Sequence, residues 1–356
     1  MTMPPCRVLL IGLALVLALD APVSAMDESE EAEMAARRLA MTGSDMSAAE
    51  AAALEVRVEQ EPGDLAARTQ LLGYYMMHYH DDPQALERRR THILWVIENH
   101  PASPLAGLPY VSLDPRISQE AVAAATELWR EHVEAEPGDA KLIANAASFF
   151  VPYQLELAEQ YLEQGRALEP QNPSWLEELA RVYGFQVQDA ADEQRDELAA
   201  KALAAFEAAY ELHDDEIMHF YMLNNLAEAA LTANANDKAQ TYARRLLDMA
   251  ERYKGDWNYG NAIHAGHLTL GHLALRAGDV EQAAAHLLDA GRTPGSPQLN
   301  SFGPDRSLAQ ALLDAGEREA VLEYLELIER FWVHRGERLQ HWREEIRAGR
   351  TPDLRY

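Results

Sequence analysis

The densest set of side chains able to do chemistry is His264, His267 and His272, in the run Asn261-Ala-Ile-His-Ala-Gly-His-Leu-Thr-Leu-Gly-His. On a helix His264 and His267, three apart, share a face and could place two imidazoles on one metal ion. His272 lies about 140° round from His267 and cannot join them. The pair lacks a third ligand, so the set reads as polar residues on an inner helical surface or at a helix junction, and neither metal nor cofactor is assigned. His78 and His80, followed by Asp81 and Asp82, have the texture of a zinc or copper site. Asp81-Asp82-Pro83 is, however, an ordinary helix start, with a capping acid and a first-position proline. His213, Asp214, Asp215 and Glu216 read the same way, as acids favoured at a helix N-terminus. A Gly-x-Ser-x-Gly elbow, a phosphate loop, a dinucleotide-binding glycine fingerprint and a His-Glu-x-x-His helix are all absent from the sequence.

A different chemistry, polar recognition without catalysis, is suggested by Arg292-Thr-Pro-Gly-Ser-Pro-Gln-Leu-Asn-Ser-Phe-Gly-Pro-Asp305. Three prolines and two glycines stiffen this connector, while Ser296, Gln298, Asn300 and Ser301 offer donors and acceptors. Connectors of this kind shape a site or cap a groove. Together with Asn258, Tyr259, Asn261 and His264 at the start of the preceding helix, Gln298 and Asn300 form the candidate surface. The plainer reading is that the prolines only end one helix and begin another.

Helices must position these residues. After about residue 47, apolar residues recur three and four apart, and Pro, Gly or Asn-Asp clusters interrupt them every 12 to 16 residues. The segments come in pairs. Leu142, Ala146 and Phe149 are followed by Ala158, Leu162 and Pro170, and Trp175, Leu179, Ala180 and Tyr183 by Ala202, Phe206 and Ala209. Later pairs carry Leu226, Ala227 and Ala230 with Ala239, then Leu270, Gly271 and Ala274 with Ala283, Leu287, Ala290 and Pro294. The last carries Leu308, Ala309 and Leu312 with Val321 and Leu325. The equivalent small residues stand at 146, 180, 227, 271 and 309, so the spacings are 34, 47, 44 and 38. Towards the N-terminus the pattern weakens: Leu72, Gly73 and Met76 open a first unit, and Ala125, Trp129 and Pro137 form a helix whose partner is replaced by the Pro-rich stretch 101–115.

This pattern resembles the tetratricopeptide repeat over roughly residues 50 to 335. The resemblance implies an all-α fold, a right-handed α-solenoid of antiparallel helical hairpins, whose concave face binds a peptide or protein. It places Tyr221, Asn224, Glu228 and Leu231, with Asn225 beside them, on that face. The carboxylate clamp of some family members needs Lys or Arg there, and this chain has none. The expectation is an exported interaction scaffold without catalysis. The rival is a metal- or carboxylate-dependent enzyme at a junction of His264, His267 and Asn300.

Charge and targeting bound the function further. The 356 residues carry 58 Asp and Glu against 31 Lys and Arg, a net charge of −27. Nucleic acid is excluded as a partner, since phosphate neutralisation needs a basic face, and a neutral or basic client is favoured. Val8 to Leu19 form an apolar run of twelve, followed by Val23-Ser24-Ala25, which reads as a signal peptide over residues 1–25. Twelve residues cannot span a bilayer, so the expected protein is periplasmic or extracellular, without a membrane span after cleavage. Cleavage removes Cys6, the single cysteine. Residues 26–47, with five acids in the seven residues from Asp27 to Glu33, read as a flexible solvated leader. Repeats are expected over 48–335, and a capping helix with a tail over 336–356, where Leu339, Trp342 and Ile346 form an apolar stripe.

Overall fold

The computed structural model describes residues 28–80 and 82–355, and the signal-peptide reading and Asp81 lie outside them. The described residues form α-helices with short connections and no strand. The helices are α1 (Glu28–Ser44), α2 (Ala48–Gln60), α3 (Leu65–His78), α4 (Pro83–Asn99), α5 (Gln119–Ala135), α6 (Ala140–Phe150), α7 (Leu155–Leu168) and α8 (Pro173–Asp189). They continue with α9 (Asp192–Leu212), α10 (Glu216–Thr232), α11 (Asn236–Arg252), α12 (Tyr259–Arg276), α13 (Val280–Gly291), α14 (Pro297–Ser301), α15 (Ser307–Asp314), α16 (Arg318–Ile328) and α17 (Gly336–Arg347). The chain divides into two compact units, the first ending at Val182 and the second beginning at Tyr183.

In the first unit the acidic stretch is not a solvated leader. Residues 28–44 are helical, and Met34, Arg37, Ala40 and Gly43 fall three apart on one buried side, with Glu30 and Glu31 exposed. This side packs on α3 through backbone contact. A Cβ on Gly73 would lie 1.9 Å from the carbonyl of Ala40, and one on Gly43 would lie 1.9 Å from that of Gln70, so only glycine fits at either crossing point. The Pro-rich stretch forms two short 3-10 turns, Pro104–Gly107 and Pro109–Val111, that bury Leu105, Ala106, Leu108 and Val111. Asn145 on α6 holds this stretch, donating to the carbonyls of Pro101 and Ser103 at 2.8 Å each. Packed segments thus occupy the place where the repeat pattern lacks a helix. Trp129 on α5 is fully buried.

In the second unit consecutive helices pack on one another from α9 to α13, α10 also touches α12, and α13 packs on α16. The small residues that recur along these helices are in the core: Ala227, Ala230, Ala239, Ala283, Ala290 and Ala309 have no exposed surface. The closing helix α17 buries Leu339, Trp342 and Ile346 against α16, as its stripe requires. The tail returns to the body, where Arg306 Nε donates to the Leu354 carbonyl at 2.6 Å and Leu354 is fully buried. Among the described residues no helix is long and apolar enough to cross a membrane.

Candidate functional site

The connector after α13 folds onto the first turn of α12. Gly260 makes this approach possible, because a Cβ there would stand 1.9 Å from the carbonyl oxygen of Gly295. Thr293 Oγ1 donates to the Gly260 carbonyl at 2.8 Å and clamps the two segments together. Ser296 then caps the single-turn helix α14, accepting from the Leu299 amide at 3.0 Å, while its own hydroxyl donates to Asn261 Oδ1 at 2.6 Å.

Asn261 is the hub of an amide cluster. Its Nδ2 donates to Asn258 Oδ1 at 3.1 Å and to Gln298 Oε1, which uses both hydrogens. The cluster extends to α10 through Asp256, whose carboxylate accepts from the Asn258 backbone N–H at 2.7 Å and from the Tyr221 hydroxyl at 2.9 Å. Burial and this hydrogen bond push the Tyr221 hydroxyl up to about 12, so it stays a donor. The Tyr221 ring also lies against Trp257, with centroids 5.2 Å apart.

Two amide atoms in this region have no hydrogen-bond partner. Asn258 is 5% exposed and leaves Nδ2, a donor, unpaired, while Asn300 Oδ1, an acceptor, is buried and unpaired. An unsatisfied buried polar group costs about 1–3 kcal/mol. Asn224, Asn225 and Tyr259 are half-buried on α10 and α12. Further along α10, Glu228 keeps exposed surface, yet the protein around it and the Asp305 carboxylate raise its carboxyl above the ordinary range.

The histidines are not brought to one point. His264 is 3% exposed, and its Nε2 meets the Tyr324 hydroxyl at 3.3 Å. That hydroxyl donates to the Asp305 carbonyl at 3.0 Å, so His264 Nε2 carries the proton and donates. Burial holds its pKa down, at about 4. His264 therefore pins α12 to α16 and to the end of the connector, and its ring is not on the accessible surface. His267 faces His286 on α13, and His272 Nε2 lies 2.9 Å from Ser307 Oγ. The junction imagined for His264, His267 and Asn300 is thus split among separate neighbours.

The other histidine sets are local. His78 Nδ1 meets the carbonyl of Tyr74 at 2.8 Å within its own helix, and Asp82 caps α4 ahead of Pro83. Asp215 likewise caps α10. A network that the sequence did not reveal joins α2, α3 and α4: Arg68 Nη1 lies 2.9 Å from His92 Nδ1, and His92 Nε2 lies 3.1 Å from Glu55 Oε1. Guanidinium can only donate, so His92 accepts at Nδ1 and donates at Nε2. Burial favours the neutral form of Glu55, but hydrogen bonds from His92 and Tyr75 outweigh it and hold the carboxyl below its ordinary value. Each member's partner lies on another helix, so the residues carry no sequence motif.

No protein-family model and no curated protein matches the chain.

Proposed function

We propose that the chain is an exported interaction scaffold, a tetratricopeptide-like right-handed solenoid of antiparallel hairpins, that binds an extended peptide segment of a client protein without catalysis. The observation that carries this reading is the half-buried amide pair of Asn261 and Gln298, held in place where Thr293 and Ser296 fasten the connector onto α12. An extended peptide presents N–H and C=O groups alternately, and side-chain amides pair with both. Tyr221, Asn224 and Asn225 continue the polar surface along α10. Glu228 and Asp305 make the region acidic, which favours a neutral or basic segment and an affinity that falls as salt rises.

The test is selection from a displayed random peptide library on the full chain, followed by titration of the enriched peptides. Peptides of neutral or positive charge are expected, and Gln298→Ala/Asn300→Ala should weaken them at least about tenfold, or about 1.4 kcal/mol. Failure to enrich any peptide, or equal affinity for the double variant, would overturn the reading.

A further inference from the structure

His267 on α12 and His286 and Asp289 on α13 bring two imidazole nitrogens and a carboxylate oxygen together, all within 4.8 Å of one another. His286 and Asp289 are three apart and share one face of α13, while His267 reaches them from the neighbouring helix. The two Nδ1 atoms are 3.1 Å apart. Two nitrogens each about 2.0–2.1 Å from one zinc ion, at a tetrahedral angle, lie about 3.3 Å apart. The pair already has nearly that separation, and the Asp289 carboxylate oxygen lies within 4.8 Å of both nitrogens.

The carboxylate is also placed for the task. Arg292 Nη1 donates to Asp289 Oδ1 at 2.7 Å and fixes the group, which leaves the other oxygen to ligate. Metal-ligating side chains are commonly oriented by such outer contacts. All three residues are half-buried, so solvent can complete the coordination.

We propose that His267, His286 and Asp289 form a binding site for a divalent transition-metal ion, zinc best matching two imidazoles and one carboxylate, that ties α12 to α13. The site is separate from the peptide-binding surface proposed above and stands whether or not that reading holds.

The experiment is calorimetric titration of the chelator-treated full chain with zinc, together with thermal melting followed by circular dichroism. One zinc per chain is expected, with a dissociation constant at or below the order of 10 µM, and the melting temperature should rise with zinc. His286→Ala should weaken binding at least about tenfold. Asp289→Asn keeps the side-chain volume and should weaken binding while leaving the metal-free melt nearly unchanged, which separates ligand loss from misfolding. Absence of saturable one-to-one binding, or undiminished zinc affinity in both variants, would overturn the proposal.

Discussion

Ser296 Oγ donates to Asn261 Oδ1 at 2.6 Å across 35 positions of sequence, and this bond fixes the connector onto α12. The same oxygen caps α14. Ser296→Ala removes both interactions and should cost about 1–2 kcal/mol. Chemical denaturation monitored by tryptophan fluorescence would measure this.

Gly260→Ala is expected to be worse. A methyl group 1.9 Å from the Gly295 carbonyl must push the connector away, at a cost of about 1–3 kcal/mol. The displaced connector should also lose protection in hydrogen exchange over residues 293–303, whereas Ala substitution at Gly255, which has open space around it, should leave both readouts unchanged.

His264 makes stability pH-dependent. Its folded pKa is lowered from 6.5 to about 4, so the unfolded chain binds the proton first. The stabilisation is complete above about pH 6.5 and is lost as pH falls through 4, at about 1.4 kcal/mol per unit and of order 3 kcal/mol in all. A non-titrating side chain of similar shape, as in His264→Phe, should reduce the slope of stability against pH between 6.5 and 4, leaving the smaller share of His267, His272 and His286, whose burial also lowers their pKa values. Melts recorded across that range would show an unchanged slope if the imidazole were not responsible.

The first helix should be integral to its unit. Gly73→Ala drives a methyl into the Ala40 carbonyl and should cost about 1–3 kcal/mol. Limited proteolysis should then cut first between residues 30 and 47. If the variant is as resistant as the parent, α1 does not depend on this crossing.

What the sequence revealed follows from what leaves a periodic trace. Ala146, Ala227, Ala283 and Ala309 lie in the core, and close packing demands small residues at fixed intervals, so the helix pairs were legible. The helix α1 was hidden because its buried stripe of Met34, Arg37, Ala40 and Gly43 holds a charged residue and sits among acids. The grouping of Asn258, Asn261 and Gln298 was legible, since the stiff connector had to return to the helix before it. The two residues that join His267 in the proposed metal site were not. His286 and Asp289 meet His267 through packing of α13 on α12, which no spacing within one helix records.

The central claim, that the surface around Asn300 and Asn225 receives an extended peptide, is tested most directly by photo-crosslinking. A photoreactive residue would be placed at Asn225, at Asn300 and at the exposed Gln240 of α11, and each chain would be irradiated with the tightest peptide from the library selection. Crosslinks from positions 225 and 300, with none from 240, are expected. Crosslinking from 240 alone, or equally from all three, would contradict the claim.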